Sequence, residues 1–274
     1  MKDIVSEVYF QDGNFYPADQ LPDSCFSRDV IYEVIRFMKG KPLFLYDHLN
    51  RLINSIKREG CEIPDQREII KGIKLFAGKV TLTTGNVKVL LRYSAAGKLF
   101  SFYVYQVYHR YPAADLYQKG VETITTGIER KNPVVKRWNP FMRLKMEEIR
   151  KEKAVFEVLM VDHANHITEG SKSNLFFIKD SGLVTPPKNS VLPGITRQKV
   201  IALCSDLNIS ISYKKIPYPE LKYFSEAFLT GTSPKILPIR KIDDFEFKVA
   251  SQTVKKLMQA YDELIRDEIR KSSL

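Results

Sequence analysis

The order of strand-like and helix-like segments constrains this chain most, because it lacks the regular strand–helix–strand alternation that a doubly wound parallel sheet requires. Val8-Tyr9-Phe10 and Phe15-Tyr16 flank an Asp12-Gly13 turn and read as a hairpin. Val30–Phe37 is strand-like, and Lys39-Gly40 turns it into Pro42–Leu45. A helix is predicted from an Asp47 N-cap to about Arg58, with Leu49, Leu52, Ile53 and Ile56 on one face, and a second over about Gln66–Phe76. Two long strands follow, Val87–Tyr93 and Leu99–Tyr108, joined by Ser94-Ala95-Ala96-Gly97. Tyr111-Pro112-Ala113-Ala114-Asp115 is the best linker candidate. Beyond it, strands are predicted at Val121–Thr126, Phe156–Val161, His166–Gly170, Leu175–Ile178, Ile209–Tyr213 and Ala227–Thr230, with a turn at Asp180-Ser181-Gly182. Helices are predicted over about Phe141–Lys153, Thr196–Leu207 and Val249–Ile269. The pattern argues for an α+β fold.

Composition closes off several function classes. With 44% hydrophobic and 27% charged residues over 274 positions, the chain has the make-up of a globular protein large enough for one or two cores. No apolar run reaches the length of a membrane span, and Asp3 and Glu7 interrupt the start where a signal peptide would be apolar, so a cytoplasmic protein is expected. Cys25, Cys61 and Cys204 are odd in number and far apart, which reads as three free thiols. His48, His109, His163 and His166 form no metal-binding spacing, and no metal site is expected. The excess of 43 Lys and Arg over 32 Asp and Glu is spread along the chain without a nucleic-acid-binding signature; it suits small anions better than a nucleic acid. There is no GxGxxG and no GxxxxGK[ST].

Several short pieces carry chemical potential, although each alone is an ordinary turn or surface feature. His48 and Arg51, three apart, share a face of the first helix. Leu192-Pro193-Gly194-Ile195-Thr196-Arg197 feeds a helix start whose unpaired N–H groups attract anions. Thr230-Gly231-Thr232-Ser233 clusters hydroxyls and N–H groups. Glu169 stands among small residues in Thr168–Asn174, and Lys136 follows a short apolar pair. Together, a lysine, an acid, an arginine and two anion nests meet the needs of pyridoxal phosphate: a Schiff-base amine, a partner for the pyridine nitrogen, and donors for the phosphate.

In their order and spacing these pieces resemble the fold-type IV pyridoxal-phosphate enzymes, the class IV aminotransferase family of D-amino acid aminotransferase, branched-chain aminotransferase and aminodeoxychorismate lyase. The resemblance runs from about Val8 to about Ile239 through Y-E-V-I-R at Tyr32–Arg36, H-L-N-R at His48–Arg51, K-x-x-N at Lys136–Asn139, T-E-G-x-x-S-N at Thr168–Asn174, T-P-P at Thr185–Pro187, L-P-G-I-T-R at Leu192–Arg197 and T-G-T at Thr230–Thr232. It implies a two-domain fold, a small α/β domain at 1–112 and a larger mixed-sheet, cofactor-binding domain at 118–274. It implies pyridoxal 5'-phosphate as cofactor, a small amino or keto acid as substrate and a homodimer, with neither nucleic acid nor membrane as partner.

Residue by residue, the resemblance implies that Lys136 is the Schiff-base lysine and moves the proton at the substrate α-carbon, and that Glu169 pairs with the pyridine nitrogen. Arg51, Ile195, Thr196 and Thr232 match phosphate contacts, and Tyr32 and Arg36 are candidate substrate contacts. Lys136-Arg137-Trp138-Asn139 is most similar to the D-amino acid aminotransferase and lyase motifs, whereas Glu33 and Arg36 are similar to branched-chain enzymes. Arg28-Asp29-Val30 stands where Gly-Asp-Gly is common, Lys235 stands where glutamate is common, and the 94–97 loop lacks a substrate-binding arginine often found there. The expected reaction is transamination of a small amino acid; release of pyruvate from 4-amino-4-deoxychorismate is the alternative.

Overall fold

The structure, a computed structural model, describes residues 3–180, 182–249 and 251–271. The chain divides into two compact units, one of Met1–Arg110, Val135–Pro140 and Ile265–Leu274, the other of Tyr111–Val134 and Phe141–Leu264. The division after Arg110 falls beside the Tyr111–Asp115 segment, while residues 135–140 and 265–274 group with the first unit.

In the first unit lie β1 (Val8–Gln11), β2 (Asn14–Pro17), β3 (Val30–Met38), β4 (Lys41–Pro42), α1 (Leu45–Arg58), α2 (Gln66–Lys79), β5 (Gly85–Tyr93) and β6 (Leu99–Val107). They build a six-stranded sheet in the order β2-β1-β6-β5-β3-β4, every pair antiparallel. Alternation along the strands decides what each face buries. Ile31, Ile35 and Phe37 of β3 and Val87, Val89 and Leu91 of β5 pack with Leu49, Leu52 and Ile56 of α1 and Ile69, Ile73 and Phe76 of α2. The opposite face carries Tyr32, Leu90, Tyr103 and Tyr105, packed with Trp138. The α1 start differs from expectation: the helix begins at Leu45, behind Phe44 in a left-handed conformation (φ 53°), so Asp47 lies in the first turn rather than at the cap. The Phe44 N–H is satisfied by Glu268 Oε1 at 3.1 Å, a partner no local rule supplies.

The second unit contains α3 (Leu116–Lys119), β7 (Val121–Thr126), all but the first residue of α4 (Pro140–Glu152), β8 (Glu157–Val161), β9 (His166–Gly170), β10 (Asn174–Lys179), β11 (Gly182–Thr185), α5 (Ile195–Asp206), β12 (Ile211–Tyr213), β13 (Ile216–Pro217), β14 (Glu226–Gly231), β15 (Lys235–Ile242), β16 (Phe245–Glu246) and the greater part of α6 (Gln252–Lys271). Its main sheet runs β12-β11-β10-β14-β15-β7-β8-β9-β13, with β16 on β15. The β15–β7, β7–β8 and β11–β12 pairs are parallel and the others antiparallel, a mixed sheet. Leu159, Leu175, Phe177, Leu229, Leu237 and Ile239 form its apolar core. Of the predicted features here, the Asp180-Ser181-Gly182 turn includes Ser181, and the start of the last helix includes Ala250; both residues lie outside the described ones. Among the described residues no helix is long and apolar enough to cross a membrane.

Candidate active site

In the first unit, Glu33 of β3 points into the helix-covered face of the sheet and is completely buried. A buried carboxylate is tolerated only with opposite charge and hydrogen bonds, and α1 provides both. Arg51 Nε donates to Oε1 at 2.7 Å and Nη2 to Oε2 at 2.6 Å, while His48 Nδ1 lies 2.8 Å from Oε2. The three-residue spacing of His48 and Arg51 thus aims both at one acid. Burial pushes the Glu33 carboxyl up, but the Arg51 charge and the hydrogen bonds from Arg51 and His48 outweigh it and hold the group well below the ordinary carboxylate range. Burial pulls the His48 imidazole below its ordinary value; Glu33 opposes this, and the Arg51 and Lys136 charges reinforce it.

Lys136 is held by its backbone in the same unit. Its N–H donates to Ser55 Oγ at 3.2 Å, and its carbonyl accepts from the Tyr32 N–H at 3.1 Å. The Trp138 N–H donates to the Val30 carbonyl at 2.9 Å, and Arg137 forms an antiparallel bridge with Ile31, so residues 136–138 lie along β3. The Lys136 Nζ sits 4.7 Å from the Tyr32 ring centre. Tyr32 and Arg36 occupy the β3 face opposite the helices. On that face β5 carries Lys88, 1% exposed, with Nζ 3.8 Å from the Trp138 ring centre, 5.5 Å from that of Tyr32 and 3.2 Å from Asp3 Oδ2. Lys88 is not legible in the sequence, where one lysine among so many basic residues gives no signal.

In the second unit Glu169, at the end of β9, is buried and held by hydrogen bonds. Arg130 Nε donates to Oε1 at 2.7 Å; Asn174 Nδ2 and the Leu192 N–H donate to Oε2 at 3.2 and 2.9 Å. Asn174 Nδ2 also reaches the Leu192 carbonyl at 2.9 Å. Glu169 is therefore tied to the segment that enters α5, and Gly194 is required there: a Cβ would come within 2.0 Å of Asn174 Oδ1. Glu157, buried at the start of β8, accepts from Ser171 Oγ, Ser173 Oγ and the Lys172 N–H at 2.6, 2.9 and 3.2 Å, which shapes the turn following Glu169. The roles of Arg130 and Glu157 had no sequence signal, whereas Asn174 was visible as the end of T-E-G-x-x-S-N.

Gly194 caps α5 with no side-chain hydrogen bond, and Ile195, Thr196 and Arg197 are buried. The N–H groups of that first turn have no acceptor within the helix. Helix α5 packs against β14, whose last turn leads to Thr232. Two buried polar atoms here, Arg197 Nε and Thr230 Oγ1, lack a partner among the described residues. Helix-start N–H groups, buried hydroxyls and orphaned donors suit a phosphate, and Glu169 suits a protonated ring nitrogen. The residues present therefore fit pyridoxal phosphate. The T-P-P motif is structural: Thr185 Oγ1 donates to the Leu175 carbonyl at 2.7 Å and the Pro186 carbonyl accepts from Arg197 Nη2 at 2.8 Å.

Comparison with known proteins identifies the family. The profile of the family described as Amino-transferase class IV matches residues 30–242. A Methanocaldococcus jannaschii protein, provisionally named a branched-chain-amino-acid aminotransferase, is 28% identical over 256 residues, 86% of this chain and 87% of that one. The branched-chain amino acid aminotransferase of Escherichia coli superposes with a TM-score of 0.84 at 22% identity, covering 96% of each chain. A Legionella pneumophila protein provisionally described as a 4-amino-4-deoxychorismate lyase superposes with a TM-score of 0.77 at 22% identity, covering 86% of this chain and 91% of that one. At those identities the two structures establish the shared fold.

Proposed function

From the premise that this chain belongs to the class IV aminotransferases, we propose that it transfers an amino group between a small amino acid and a keto acid with pyridoxal 5'-phosphate, and that Lys136, Glu169, Arg51, Ile195, Thr196 and Thr232 hold the cofactor. The observation that carries the reading is the hydrogen-bonded link from Glu169 through Leu192 to the start of α5. It joins a fixed carboxylate to an anion-binding helix start, the two ends a pyridine ring with a phosphate needs.

Bound pyridoxal phosphate supplies an electrophilic carbonyl and a ring that accepts electrons from the substrate α-carbon. Lys136 is the covalent lysine, and its Nζ moves the proton at that carbon. Glu169 holds the proton on the ring nitrogen, and Arg130 fixes the position of the Glu169 carboxylate through its hydrogen bond to Oε1. The Ile195 and Thr196 N–H groups, the Thr196 and Thr232 hydroxyls and Arg51 bind the phosphate. The Arg51 guanidinium is fixed by Glu33 through Nε and Nη2. Tyr32 and Arg36 contact the substrate. A cytoplasmic homodimer completes the reading, which the family resemblance supports.

The relatives' names put leucine, isoleucine and valine first in a donor panel, each offered with several keto acids and followed by product analysis. Amino transfer that requires an acceptor supports the proposal. The alternative, aminodeoxychorismate lyase, draws on Lys136-Arg137-Trp138-Asn139 and on the lyase-like fold neighbour. Pyruvate released from 4-amino-4-deoxychorismate without an acceptor, and no transfer from any donor, would replace the first reading with the second.

A further inference from the structure

The C-terminal helix α6 lies beyond residue 242, where the family match ends. Val254, Leu257, Tyr261 and Ile265 form its buried stripe. Two consecutive residues of α6 reach two separate elements of the phosphate cradle. The Tyr261 hydroxyl lies 3.3 Å from Thr196 Oγ1, with both residues buried. Asp262 Oδ1 accepts from Lys235 Nζ at 2.6 Å. Lys235 closes the tight turn that carries Thr232, because Gly231 and Lys235 face each other in the β14–β15 register.

That turn needs holding. Lys235 has φ +56°, a left-handed conformation that a residue with a side chain adopts at a cost. The Tyr117 hydroxyl donates to the Pro234 carbonyl at 3.0 Å on one side of it, and Asp262 grips Lys235 on the other. A glutamate at position 235 would face Asp262 with like charge. The pair ties the start of β15, at Lys235, to α6, at Asp262.

We propose that Tyr261 and the Lys235–Asp262 pair are positioning residues for the cofactor phosphate: Tyr261 orients the Thr196 hydroxyl, and Asp262 fixes the turn bearing Thr232. The inference rests on the assignment of Thr196 and Thr232 to the phosphate under the proposed function. A phosphate dianion accepts but does not donate, so Thr196 must give its O–H to the phosphate. The Tyr261 O–H then donates to Thr196 Oγ1, which prevents that hydroxyl from rotating away.

The test uses the full-length holoenzyme, with the dissociation constant of pyridoxal 5'-phosphate and the phosphorus NMR resonance of the bound cofactor as readouts. Tyr261→Phe should weaken cofactor binding about fivefold, the value of one neutral hydrogen bond, and shift the resonance. Lys235→Glu should weaken it about tenfold through like-charge repulsion, and Asp262→Lys in that background should restore it. A helix that only stabilises the fold would lower the melting temperature without moving the resonance or showing charge-swap rescue. Wild-type affinity and resonance in both Tyr261→Phe and Lys235→Glu, alongside weakened binding in Thr196→Ala, would overturn the inference alone. Wild-type binding in Thr196→Ala and Thr232→Ala as well would show that the cradle assignment is wrong, and the inference falls with it.

Discussion

Replacing Arg51 by alanine should cost this protein folding stability before it costs cofactor. Glu33 is completely buried, and Arg51 supplies two of its three charge-assisted hydrogen bonds, at 2.7 and 2.6 Å. Deleting one partner of such a pair leaves an uncompensated buried charge, a loss of about 3–5 kcal/mol. His48 cannot replace Arg51, because burial keeps its imidazole below its ordinary pKa and therefore neutral near pH 7. For a chain of this size the loss corresponds to a fall on the order of 10 °C in the melting temperature. Urea unfolding of cofactor-depleted protein, followed by circular dichroism, isolates this term from lost cofactor binding. Removing both charges with apolar side chains, as in Glu33→Leu with Arg51→Met, should recover much of the loss. If Arg51→Ala stays within about 1 kcal/mol of wild type, below what breaking a buried pair costs, the pair does not have the energetic role its burial implies. Cofactor affinity in Arg51→Ala, expected to weaken about 10–100-fold, is meaningful only when measured on the folded fraction.

Acid should destabilise the protein through the same cluster. Both Glu33 and His48 have folded pKa values below their ordinary ones, so their contributions are present above the unfolded values and are lost as pH falls. The loss begins below about pH 6.5 through His48 and steepens below about pH 4.3 through Glu33; urea midpoints against pH for wild type and Glu33→Gln should show the shallower acid slope in the variant. Lys136→Ala should abolish covalent attachment, so borohydride reduction of wild type should tag a peptide containing Lys136 and leave the variant unlabelled; a tag on Lys131 or Lys145 refutes the assignment. Glu169→Gln should slow the chemical step about 10²-fold or more while cofactor binding is largely kept, as read by single-turnover absorbance, and an unchanged rate removes the proposed role.

Much of this protein was readable along the chain. The β3, β5 and β6 strands, the apolar faces of α1 and α2 and the ordered motifs from Tyr32 to Thr232 all lie in short windows. In such windows side-chain periodicity and turn chemistry report directly on local backbone. The same windows exposed Glu169 and the α5 entry, because a glycine that must clear Asn174 and an acid between small residues leave their mark in the sequence. What lay beyond it were the pairings between distant residues. Periodicity placed His48 and Arg51 on one face but could not say that Glu33 waits there, and Asp47 looked like a helix cap although Phe44 and Glu268 make the start. The run of residues 136–138 along β3, the grip of Arg130 on Glu169 and that of Asp262 on Lys235 were likewise decided in three dimensions. A buried charge has no spacing of its own: its partner is whichever group the tertiary fold brings within about 3 Å after water has been excluded.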